Sequence, residues 1–160
     1  MRNVHERDLP APAEAAGRLL DALSSRPDPL WPDGRWPAMR FDRSLEVGAV
    51  GGHGPIRYRV EQYEPGRRVL FRFTGPPGLN GTHEWRVAPA GDGCRIRHSI
   101  DGRTSGAMRL AWPFLFRPLH DALIEDALDK AEGRLTGVPV PARPWSLRVR
   151  VLRRLARSRS

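Results

Sequence analysis

Residues 112–135, WPFLFRPLHDALIEDALDKAEGRL, are the stretch that decides the fold. From Leu119 onward the apolar residues are Leu119, Leu123, Ile124, Ala127, Leu128, Ala131 and Leu135. At about 100° per residue they share one arc of about 180°, with Asp121, Glu125, Asp126, Asp129 and Glu132 mostly outside it. The spacing predicts one long amphipathic helix. Pro118 is tolerated near a helix start, so the regular part runs from there to Arg134, and Gly137 is the stop signal. One polar residue, His120, stands in the middle of the apolar arc. An imidazole at that point indicates a cavity beneath the helix rather than a closed, dry core.

Upstream of the helix the period changes from 3.6 to two. Residues 3–9 read as a first strand, ended by Pro10 and Pro12. Ala16, Leu19, Leu20 and Leu23 then give a short amphipathic helix. Residues 24–37, SSRPDPLWPDGRWP, are a proline-rich loop whose Trp31 and Trp36 must pack on something. Phe41, Leu45 and Val47 suggest a second strand running into a glycine loop at 48–54, GAVGGHG. Tyr58, Val60 and Gln62 give a third, and Val69, Phe71 and Phe73 form the inward face of a fourth across the 64–67 turn. His83, Trp85 and Val87 alternate with Glu84 and Arg86, and Cys94, Ile96, His98 and Ile100 alternate with Arg95, Arg97 and Ser99. A last strand at about 105–112 leads into the helix. The expected architecture is α+β: an antiparallel sheet of six or seven strands with the helix, from about Pro113 to Arg134, across its concave face.

A chain of 160 residues holds one domain with a real core. Its longest apolar run, 110–116, is far shorter than a bilayer span. The first residues, MRNVHERDLP, have no segment of signal-peptide type, and Cys94 is alone, so a cytoplasmic protein is expected. The net charge of +9 looks like a nucleic-acid signal until it is located. Seven arginines and no acids lie in 139–160, which leaves 20 basic against 18 acidic residues in the rest. Nucleic acid is therefore not favoured as a partner. The chain divides into a domain, 1–138, expected to fold without its tail, and a basic tail, 139–160. In the tail, Leu147, Val151, Leu152 and Leu155 fall on one side of a helix, and Arg150, Arg153, Arg154 and Arg157 on the other. That is the pattern of a cationic helix suited to an anionic membrane surface through residues 145–157. A disordered or self-docked extension after the proline-rich linker is the alternative. Composition leaves the oligomeric state open.

The order strand, short helix, run of strands, long terminal helix resembles the START-like (SRPBCC) superfamily. That group has the helix-grip fold and includes the birch-pollen allergen and the aromatic polyketide cyclases. The glycine stretch at 48–54 and the junction formed by Trp112, Pro113, Arg117, Pro118, Leu119, His120 and Asp121 add to the likeness, which covers about residues 2–136. It implies a curved sheet wrapped around the terminal helix, with a large apolar cavity between them. It does not fix function, because the superfamily spans lipid carriers, hormone receptors and cyclases.

The glycine stretch is neither a phosphate-binding nor a dinucleotide-binding loop, because no helix and no Gly-Lys-Ser/Thr follows it. It reads as a connection, with His53 at the mouth of the pocket. Alternation places His83 and His98 on the inward faces of adjacent strands. Pairing Val87 with Cys94 sets His83 directly opposite His98, their Cβ atoms roughly 5 Å apart, unless a bulge near Gly91 breaks the register. With His120, three imidazoles can line one cavity. They are either core histidines bonded to their surroundings, an acid–base or ligand-orienting set, or a three-histidine zinc site. The usual ligand spacing is absent and the resemblance implies no metal, so no metal or cofactor is expected. Trp36, His53, Tyr58, Phe71, Phe73, Trp85, Trp112 and Ile124 are the candidate ligand-binding residues. The leading functional expectation is binding of a hydrophobic or aromatic small molecule. A cyclase/dehydratase-type enzyme using His83, His98 and His120 is one alternative, and a membrane-surface or nucleic-acid module, resting on the basic tail alone, is the other.

Overall fold

The alternating segments pair into one antiparallel sheet of seven strands in the computed structural model, which describes residues 1–157. The strands are β1 (Arg2–Leu9), β2 (Arg40–Phe41), β3 (Val50–His53), β4 (Ile56–Glu64), β5 (Arg68–Gly75), β6 (Leu79–Ala90) and β7 (Gly93–Thr104). Their order is β1-β7-β6-β5-β4-β3-β2, a meander that β1 extends by pairing with β7. Register irregularities between β4 and β5, at Arg57/Tyr58 and Val60/Gln62, bend the sheet. The helices are α1 (Ala13–Asp21), α2 (Met108–Ala111), α3 (Arg117–Thr136) and α4 (Leu147–Arg157), with a π-helical turn at Trp112–Phe116. Helix α3 stops at Gly137, whose φ of 71° is the left-handed conformation glycine adopts freely.

Four local expectations are corrected. The β6–β7 hairpin turns on two residues, Gly91 (φ 53°) and Asp92, so Val87 faces Ile96, Trp85 faces His98 and His83 faces Ile100. His83 and His98 are therefore diagonal neighbours rather than directly opposite, but a two-residue shift leaves both on the inner face. Second, the glycine stretch is not only a loop, since 50–53 form β3. A Cβ at Gly51 would stand 2.0 Å from the Arg40 carbonyl oxygen, and one at Gly52 2.0 Å from that of Ile56. Third, the second strand holds Arg40 and Phe41 only, and Leu45 and Val47 lie in the turn that follows.

Fourth, residues 105–112 are not a strand. Gly106 (φ 54°) ends β7, and Met108, Trp112 and Phe116 then recur at helical spacing, packed on Leu79, Ile100 and Phe73. Their period of four outweighs the short alternation around Leu110.

The acidic side of α3 also departs from a solvated face, for Asp126 and Asp129 are buried. Asp129 accepts from Arg7 of β1. Asp126 accepts from Arg35 Nη1 (2.8 Å), Trp36 Nε1 (2.6 Å) and Trp145 Nε1 (3.1 Å). The chain beyond 138 folds back to make part of this cover. Arg143 lies 3.4 Å from Asp129 and 3.8 Å from Glu125, and α4 packs through Val149 and Arg153. The expected placement of the Arg157 side chain falls outside the described residues. Among the described residues no helix is long and apolar enough to cross a membrane.

Candidate functional site

Sheet curvature and α3 leave between them a cavity of about 860 Å³. That lies within the range of about 300–1,000 Å³ usual for small-molecule sites. Its floor is the inner face of the long strands, where Phe73, Leu79, His83, His98 and Ile100 alternate with outward polar residues. Its roof is α3, through Leu119, His120, Leu123 and Ile124, and the π-helical turn, through Trp112, Leu115 and Phe116. The 31–37 loop supplies Trp31 and Trp36, β3 supplies His53, and α4 supplies Arg153 at the rim. Of the expected ligand-binding residues, Trp36, His53, Phe73, Trp112 and Ile124 line the cavity. Tyr58, Phe71 and Trp85 do not reach it. They stand behind the lining, packed on His83 (4.6 Å for both Tyr58 and Phe71) and on His98 (4.7 Å for Trp85).

All five histidines of the chain converge here. The ring centres of His98 and His120 are 5.0 Å apart, those of His83 and His98 5.6 Å, and those of His5 and His120 6.0 Å. His53 lies against Trp31 (4.6 Å) and shares a 3.0 Å hydrogen bond between its Nδ1 and the Tyr58 hydroxyl. The others are less satisfied. His83 Nε2, His98 Nδ1 and both nitrogens of His120 are buried with no hydrogen-bond partner in the protein. Such a group costs about 1–3 kcal/mol relative to a satisfied one. Ordinary core histidines bonded to backbone or tyrosine do not look like this.

Burial, reinforced by the neighbouring imidazoles, depresses the basicity of the whole lining. It lowers His53 to about 3, places His83 and His98 well below the ordinary imidazole value and lowers His120. All four are neutral near pH 7.

His5, which the sequence reading did not single out, behaves in the opposite way. Its Nε2 lies 3.1 Å from Asp121 Oδ1 and its Nδ1 2.8 Å from Glu125 Oε1. The hydrogen bond to Asp121 leads in raising its pKa, burial opposes, and Glu125 adds to the rise. The signal was present as an alternation: Asn3, His5 and Arg7 share one face of β1, and Asp121, Glu125, Asp129 and Glu132 recur along α3. His5, His120 and Asp121 also form a group of potential metal ligands, with one ligand atom from each lying within 4.8 Å of the others. This trio differs from the three-histidine set considered from the sequence.

The chain matches, over residues 2–137, the family described as polyketide cyclase / dehydrase and lipid transport. No curated protein matches it. Among solved structures it is similar to CalU16 from Micromonospora echinospora, with a TM-score of 0.59 and 18% identity over 99% of this chain and 83% of CalU16. A protein of Nitrosospira multiformis gives a TM-score of 0.64 and 11% identity over 84% of this chain and 96% of its own. TTHA0849 from Thermus thermophilus gives 0.60 and 15% over 88% and 100%. At these identities the likeness is one of fold. The family match ends where α3 ends, so the helix-gripping sheet and all of the cavity lining except Arg153 lie inside it and α4 outside. With its long helix gripped by a seven-stranded antiparallel sheet and the match running from residue 2 to 137, the chain belongs to the polyketide cyclase / dehydrase and lipid transport family of the START-like (SRPBCC) superfamily.

Proposed function

We propose that this protein binds a hydrophobic, aromatic-rich small molecule in the cavity between sheet and α3, oriented by hydrogen bonds to neutral histidines. One observation carries the reading: a largely apolar cavity of about 860 Å³, with Asp33, Arg35 and Arg153 among its lining, whose histidines carry four buried, unpartnered imidazole nitrogens. Apolar walls supply affinity, and a few converging polar atoms supply orientation. Neutral imidazoles offer one donor and one acceptor each, which suits ligand hydroxyl or carbonyl groups.

Acid–base turnover of the cyclase/dehydratase type is the second reading, favoured by the same cluster. A general base works best with a pKa near the working pH. Burial makes His53, His83 and His98 poor proton acceptors, so orientation suits them better than proton transfer. His120 keeps a nearby carboxylate, Asp121 at 3.7 Å, and is the strongest candidate base. Native mass spectrometry of the purified protein tests the binding reading. A non-covalent adduct that is lost on denaturation supports it. An adduct lighter by one water in the parent than in His120→Ala, as dehydration would leave it, would move the conclusion to the enzyme.

A further inference from the structure

We propose that α4, together with the exposed edge of the π-helical turn, docks this protein on an anionic lipid bilayer. The inference goes beyond the ligand reading and does not depend on what the cavity holds. Helix α4 buries one side against the domain, through Val149 and Arg153. Ser146 caps its first turn, its Oγ accepting from Val149 N–H at 3.3 Å. Val149 is buried, and the Arg153 guanidinium sits in the corner formed by the Trp36 and Trp145 rings, 4.1 and 4.0 Å from their centroids. At about 100° per residue, Leu147 and Val151 fall nearly opposite that attached side. They are 73% and 44% exposed.

The exposed apolar surface continues beyond α4. Arg148 donates to the carbonyls of Pro113 and Phe114, at 3.2 and 3.0 Å, and holds the first turn of α4 beside the π-helical turn. There Phe114 is 64% exposed, and Leu110, one turn earlier, 69%. Two consecutive helical elements thus present outward apolar side chains at one edge of the molecule.

Charge identifies the occupant. Arg148 flanks the Leu147–Val151 ridge on one side, Arg150 and Arg154 flank it on the other, and residues 139–157 contain no acid. Between the linker and α4 a second cleft of about 460 Å³ is lined by Arg35, Arg143, Arg150, Arg153 and Arg154. Apolar ridges flanked by arginines match the acyl–headgroup boundary of an anionic bilayer, where each basic residue strengthens binding about fivefold. A nucleic acid backbone would use the arginines but leave Leu147, Val151 and Phe114 without a role. Because Leu115 and Phe116, the neighbours of Phe114 in the π-helical turn, also line the cavity, docking brings this end of the cavity close to the bilayer surface.

The test is co-sedimentation of the full chain with phosphatidylcholine vesicles, with and without about one-third phosphatidylglycerol. Two variants at exposed positions accompany the parent: Leu147→Ser/Val151→Ser and Arg150→Gln/Arg154→Gln. Cooperative melts check that both are folded, and two independent variants keep the test decisive if one is not. The parent is expected to bind the anionic vesicles and not the neutral ones, and each variant to lose affinity by about tenfold or more. Any of the following results would overturn the proposal. One is no binding by the parent, or equal binding by parent and variants. Another is arginine-dependent binding of duplex DNA without vesicle binding. The last is a dimer that dissociates in the leucine–valine variant while vesicle binding is unchanged.

Discussion

Acidification from pH 7 to pH 5 is expected to destabilise this domain steeply, because its cavity is lined by histidines that cannot easily accept protons. An imidazole in the unfolded chain titrates near 6.5. In the folded protein His53 is lowered to about 3, and His83 and His98 lie well below their ordinary value. Between those limits the unfolded chain binds protons that the folded one excludes, so stability falls as pH falls. Each such group contributes about 1.4 kcal/mol per pH unit. While the three folded groups stay neutral they give at most about 4 kcal/mol per unit. That is a large part of the stability of a typical domain, about 5–15 kcal/mol. His120, also lowered, adds to the slope. His5 does not, since with its raised pKa it is protonated in both states below about pH 6.5. Urea unfolding at a series of pH values measures the effect directly, because the slope of stability against pH counts the protons taken up. A slope of about three protons between pH 6 and pH 5 is expected, reduced by about one in His83→Phe. A slope below one proton would show that these histidines charge in place and would refute the reasoning.

Three further outcomes follow from the packing around α3. Asp126→Ala leaves the indole N–H groups of Trp36 and Trp145 and the Arg35 guanidinium without their acceptor, and should cost about 3–5 kcal/mol in chemical denaturation. His5→Ala should cost on the order of 1–2 kcal/mol at pH 6. That contribution is fully present below about pH 6.5 and is lost as pH rises through the raised folded value, so the same variant should cost less at pH 9. Deleting residues 139–160 should leave a cooperative transition and an unchanged sheet signal in circular dichroism. The melt should drop by several degrees, since Trp36 loses its contacts with Trp145 and Arg153.

The architecture was legible because two periods dominate the chain. Alternation at Val69, Phe71 and Phe73 and at Cys94, Ile96, His98 and Ile100 marked strands, and the arc from Leu119 to Leu135 marked α3. Details that depend on a single turn were not legible. Whether 88–93 closes over six residues or two hangs on the left-handed Gly91, and with it the partner of His83. The stretch at 105–112 carries both periods, and packing of Met108 and Trp112 on Leu79 and Ile100 decides between them. The cluster of His83, His98 and His120 could be anticipated from strand faces and the helix arc. His5 was missed because its meaning lies in pairing β1 with carboxylates some 120 residues away. The side by which α4 attaches to the domain was not legible either. Its apolar and arginine sides show in the sequence, but only the fold reveals that the paired tryptophans take Arg153 and leave Leu147 and Val151 outside.

The most direct test of the ligand-binding reading is a fluorescence titration with a neutral apolar probe, N-phenyl-1-naphthylamine. It compares the parent with Ile100→Trp, which places an indole inside the cavity floor. Saturable one-to-one binding by the parent is expected, with affinity lowered about tenfold or more in a variant that still melts cooperatively. Equal binding by the two proteins, or no saturable binding by the parent, would contradict the assignment of this cavity as the ligand site.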